Sequence, residues 1–238
     1  MILFHPNQIS SSGGLTIISG CSAELAQSSI SFNEAGKDGG GITVGYIVGY
    51  FGNVDGSSSI RLISCMIEGN SASDGGGINA YSDVTIELSS SVIRTNQGVK
   101  YGGGLKLSND VTLNMEQSTI YNNTAETGGG LYTTTRCAAE FKRSNVELNS
   151  AENLGGGIYM TDDASLVTDS SVIVGNAANN GGGGVYANRC SLALNNGTQV
   201  RDNLARRGGG IKMQYSDLIV RQSLFQGNVA TETGELPA

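Results

Sequence analysis

Tryptophan is absent from this chain, histidine occurs once, and proline only twice in 238 residues. Two prolines beside 36 glycines exclude collagen and proline-rich disorder, both of which need far more proline. Charge is sparse as well. Charged residues make up 15% and the balance is −7, which excludes the basic stripe that a nucleic-acid partner requires. No apolar run approaches the roughly 18 residues of a membrane span, so no membrane insertion by this chain is expected. The opening Met1-Ile2-Leu3-Phe4-His5-Pro6 has too short an apolar stretch for a signal peptide and no basic start. An exported protein would therefore hold this chain as a fragment of a longer solenoid.

What the chain does have is a period. Triple glycines begin at Gly39, Gly75, Gly102, Gly128, Gly155, Gly182 and Gly208, mostly 26 or 27 residues apart, with 36 residues between the first two. Ser12-Gly13-Gly14-Leu15 reads as a degenerate earlier copy, and Thr233-Gly234-Glu235-Leu236 opens a further one. A repeat of this length marks a solenoid, in which each unit buries its inner face only against its neighbours.

Aligning the repeats gives columns. An aliphatic residue follows each glycine run, as in Ile78, Leu105, Leu131 and Ile158, and a second, mostly apolar column lies two residues on. That spacing is the strand period. A second strand carries inward residues such as Val84, Ile86 and Leu88, and a third carries Ile67, Ile93, Ile120 and Val146. Glycines inside every period would each cost a helix about 1 kcal/mol, so a helical reading fails. The expected fold is all-β: one right-handed, single-stranded parallel β-helix over 1–238, with three short strands per turn and about nine turns.

One column is invariant. Asn33, Asn70, Asn96, Asn123, Asn149, Asn176, Asn203 and Asn228 each occupy the same place. Stacked at the strand spacing of about 4.8 Å, their amides are expected to hydrogen-bond from turn to turn, satisfying polar groups at a bend. Five residues earlier stands a small polar or thiol residue, such as Cys65, Ser91, Ser118 or Thr198, suited to a second ladder. Ala or Gly lies two residues after each asparagine. The glycine corner needs a residue without Cβ, either for positive φ or for close backbone approach between turns.

The pattern Val146-Glu147-Leu148-Asn149 running to Gly155-Gly156-Gly157-Ile158-Tyr159, with Phe225-Gln226-Gly227-Asn228, resembles the repeats of the polymorphic outer membrane proteins. That family carries GGA[ILV] and FxxN motifs. This chain has Gly for Ala in the first motif and mostly Ile or Val for Phe in the second. The coil shape is also similar to that of the broader pectin lyase-like group. The resemblance implies a surface-exposed, extracellular passenger.

The chemistry-bearing residues are few. Carbohydrate-active enzymes on such coils need clustered carboxylates with a basic residue or Ca²⁺. The one adjacent acid pair, Asp162-Asp163, reads as a solvated turn, and His5 lies in the irregular first turn. No catalytic residue, metal or cofactor is expected. Of the four cysteines, Cys21, Cys137 and Cys190 fall in one inward column. Cys137 and Cys190 stand two turns, about 9.6 Å, apart, too far for a disulfide. Free core thiols follow.

Outside the core, Tyr132, Tyr159 and Tyr186 share one outward column flanked by Lys106 and Lys212. They would form an exposed aromatic stripe, either binding a glycan or a partner protein or packing across strands. An insertion at about 45–54 carries Tyr46, Tyr50 and Phe51 and either marks a contact or folds back on the coil. Sequons at Asn122-Asn123-Thr124 and Asn196-Gly197-Thr198 place candidate N-glycosylation at Asn122 and Asn196. Uncapped coil ends would allow end-to-end self-association. The functional expectation is a non-enzymatic structural or adhesive module at a cell surface. The alternatives are a filament subunit and a degenerate polysaccharide lyase or hydrolase.

Overall fold

A three-residue strand cannot bury an apolar face alone, and in this chain every strand gains its partners from the turns before and after it. The computed structural model describes residues 12–18, 20–45 and 57–232. Among them are 31 strands and no helix, coiled into a parallel β-solenoid of about eight turns. No helix among these residues is long and apolar enough to cross a membrane. His5, Tyr46, Tyr50, Phe51, the glycine at 234 and all of the insertion but Gly45 lie outside the described residues.

Successive turns stack in register. The first sheet runs from Leu15–Ile17 to Ile211–Gln214, the second from Ser22–Ala26 to Asp217–Val220, and the third from Ser29–Ser31 to Leu224–Gln226, with eight strands in each. Apolar residues meet apolar residues at most inward positions. Leu105 pairs with Leu131, Leu113 with Ala139, and Ile120 with Val146. Their inward side chains form one continuous core, with Ile78, Leu105, Leu131 and Ile158 fully buried. Cys65, Cys137 and Cys190 are buried free thiols within it.

Beside the expected three strands, most turns carry a short fourth, giving three to four strands per turn. A fourth sheet of seven strands runs from Ser71–Asp74 to Val229–Ala230, just after each asparagine. Its inward residues are the small ones noted two places after the asparagine, and Ala151, Ala178 and Ala205 make a separate buried cluster. Strands this short, some of two residues, show no alternation to read in the sequence.

Both proposed uses of the glycine corner occur, at different glycines. Gly102 has φ +64°, in the left-handed region. A Cβ on Gly103 would lie 2.3 Å from the Thr124 carbonyl oxygen, and one on Gly104 would lie 2.6 Å from that of Gly130 and 3.2 Å from Asn123 Nδ2. The first glycine of a triplet turns the chain, and the next two let the neighbouring rung and its asparagine approach.

Candidate functional site

Asparagine at the inner corner is saturated in both directions along the coil. The Asn123 backbone N–H and Nδ2 donate to Asn149 Oδ1 at 2.9 and 3.0 Å, and Nδ2 also donates to the Ile93 carbonyl at 3.0 Å. Its own Oδ1 accepts the backbone N–H and Nδ2 of Asn96. The same bonds link Asn33 to Asn70, Asn70 to Asn96, Asn149 to Asn176, Asn176 to Asn203 and Asn203 to Asn228. A hydroxyl ladder runs beside it: the N–H of Ser91 donates to Ser118 Oγ at 3.1 Å, and that of Ser118 to Ser144 Oγ at 3.2 Å. Cys65 continues the column, donating its thiol to the Leu25 carbonyl.

On the outside of the first sheet, the column after each glycine corner meets the residues just before the preceding rung's corner, as Lys106 meets Asp74 and Tyr132 meets Tyr101, forming a lateral seam. Tyr132, Tyr159 and Tyr186 are directly paired neighbours in it. Their rings stack at 5.0 and 5.2 Å, nearly parallel, and Tyr101 of the fourth sheet adds a tilted ring at 4.8 Å. Lys106 Nζ stands 5.6 Å from the Tyr101 ring and Lys212 Nζ 5.5 Å from the Tyr186 ring, within cation–π range.

This stripe is less open than a strictly outward column implies. Tyr186 is only 7% exposed, with its hydroxyl donating to Gln214, and Tyr132 and Tyr159 are half-buried. Tyr101 of the fourth sheet covers the Tyr132 ring, while Gln214 and Lys212 of the next rung close on Tyr186. Burial pushes the phenols of all three upward, so they keep their protons. Stacked rings also spend their faces on one another, leaving edges and hydroxyls to a partner.

No family model, curated protein or solved structure matches this chain.

The remaining candidates separate. Asp162 and Asp163 both adopt positive φ at a corner, and Asp162 is held by Arg189 of the next rung, which keeps its carboxyl below the usual range. Asn122 is exposed at positive φ beside the buried ladder residue Asn123. Asn196 is also exposed, but its amide donates to Asp169 at 2.6 Å, and the sequon's Thr198 is buried in the hydroxyl column.

Column reading missed a polar cluster at the Asp38 end of the seam. Asp38, Asp74, Asn79, Tyr81 and Lys106 converge there from sequence positions 32 to 43 residues apart. The signal was present: Asp38 and Asp74 each directly precede a glycine triplet, and Asn79 and Lys106 occupy the outward column facing them.

Proposed function

We propose that this chain is a non-enzymatic structural or adhesive coil of an extracellular or cell-surface protein, similar in kind to the polymorphic outer membrane protein passengers within the pectin lyase-like group. The observation that carries the reading is the unbroken asparagine ladder, which links every rung from Asn33 to Asn228. Such a polar spine commits the conserved geometry of each turn to holding a stiff rod. The outer carboxylates serve the same end: Asp110 pairs with Arg136, Glu116 with Arg143 and Asp162 with Arg189, always one rung apart. What remains for partners is the lateral surface, where the edges and hydroxyls of Tyr132 and Tyr159 suit a protein or a glycan reached by hydrogen bonds.

Negative-stain microscopy of the purified chain, paired with incubation on acidic polysaccharides, tests this. Discrete rods without product release are expected. Long polymers would favour the filament subunit instead, and released oligosaccharide would overturn the non-enzymatic reading.

A further inference from the structure

The polar cluster in the seam is not used by either ladder. Lys106 Nζ lies 2.7 Å from Asp74 Oδ2, with the two side chains 12% and 15% exposed. Asp38, 2% exposed, is the bridge partner of Asp74 one rung away. It accepts the Tyr81 hydroxyl at 2.5 Å and Asn79 Nδ2 at 3.1 Å. The Tyr81 and Tyr101 rings stand 5.3 and 5.6 Å from Lys106 Nζ. Two buried oxygens, Asp74 Oδ1 and Asn79 Oδ1, have no donor.

The Lys106–Asp74 pair thus lies in a recess walled by aromatic rings, with a second carboxyl, Asp38, on the neighbouring rung. Passing one proton from the ammonium to the Asp74 carboxylate gives a carboxylic acid beside a free amine. Those are the reactants of amide formation, already in contact and held by the rungs that carry them.

We infer that Lys106 and Asp74 join through a side-chain amide bond, with Asp38 carrying the protons. The ammonium of Lys106 first gives a proton to the Asp74 carboxylate. The neutral Nζ then attacks Cγ of Asp74, forming the C–N bond and a tetrahedral centre. Asp38, which is not in direct contact with Nζ, takes the second proton through a bridging water and returns it to the departing hydroxyl by the same route. The C–O bond breaks and water leaves, built from one Asp74 oxygen and two lysine hydrogens. Nothing is oxidised or reduced, and no co-reactant is needed. The phenol of Tyr81, pushed upward chiefly by burial and by its bond to Asp38, stays protonated and keeps the relay carboxyl in place. The product replaces an ion pair with a covalent tie between neighbouring rungs.

A competing dehydration exists, because Asp74 precedes Gly75 and could close on the Gly75 nitrogen as a succinimide. That nitrogen is committed to the sheet, donating to the Tyr101 carbonyl at 2.8 Å. The inference does not rest on the surface role, since the mass of the chain reads it whatever the coil binds.

Intact mass spectrometry of the purified, denatured full chain is the test, followed by peptide mapping. The expected mass is the sequence mass less one water, with Asp74 and Lys106 recovered in one branched peptide. The full sequence mass, with both residues in separate unmodified peptides, overturns the inference. So does a water loss that persists in Lys106→Arg, which would place it at Asp74-Gly75. Asp74→Asn is expected to lose ammonia instead of water. Asp38→Asn, checked for folding by its strand circular dichroism, is expected to leave most chains unlinked. Complete linkage in that variant would overturn the relay role of Asp38.

Discussion

The inner asparagine corner and the outer lateral seam run side by side along the same rungs and obey opposite rules. At the corner one residue type recurs on every rung, each amide saturated by the rungs on either side. In the seam the column reads Thr43, Asn79, Lys106, Tyr132, Tyr159, Tyr186 and Lys212, changing from polar through charged to aromatic and back. Repetition is what the coil demands where its backbone bends away from water. Variation is tolerated where a side chain needs only a suitable neighbour, and there individual chemistry can be written.

If that contrast is physical, damage to the corner should cost far more than damage to the seam. Asn123→Ala is expected to have the largest effect. It strips the acceptor from the Asn96 backbone and side-chain N–H groups and the donor from the Ile93 carbonyl, all buried. At about 1–3 kcal/mol for each buried group left unpaired, a loss of about 4 kcal/mol should appear as a lowered urea midpoint by circular dichroism. Gly103→Ala comes next, at about 3 kcal/mol on the same readout, because its Cβ would meet a backbone oxygen that the neighbouring rung cannot move. A midpoint shift in either variant no larger than that of a surface substitution would break the comparison.

In the seam, Tyr159→Ala removes two ring contacts and opens a half-buried gap. About 2 kcal/mol is expected, from partial burial and two stacked pairs. Partner binding measured on the same variant then separates stacking for stability from recognition. A variant that keeps its midpoint and loses a bound partner would move the column from packing to binding.

How much of this was legible beforehand follows the same divide. The asparagine and hydroxyl ladders could be read because the sequence repeats the residue that stacks, so aligning one column is enough. The strand carrying Val84, Ile86 and Leu88 could be read because it alternates. The fourth sheet was hidden because pairs such as Ala177–Ala178 are too short to alternate and too small to mark an inner face. The seam was hidden for a different reason. Its contacts join facing columns of unlike residues, as Asp74 joins Lys106, and aligned repeats display only what lies above and below. Tyr186 looked exposed because nothing in its own column announced that Gln214, two places beyond that column on the next rung, would take its hydroxyl.

The smallest expected effect lies at the rung-to-rung ion pairs of the outer corners, and its pH dependence has a definite sign. Arg136 forks onto Asp110 at 2.8 and 2.6 Å, both side chains largely in solvent. That hydrogen bond holds the Asp110 carboxyl below its usual range. A carboxyl depressed in the folded state contributes stability that is present above its unfolded value, about 3.9, and is lost as pH falls through the folded one. Solvent screening keeps the contribution small, and salt should erase it. Urea midpoints of the parent and Asp110→Asn should therefore differ slightly at neutral pH and low salt, and converge both in high salt and in acid. A gap that persists at high salt would mean that the outer corners, like the asparagine corner, are held by contacts that water does not weaken.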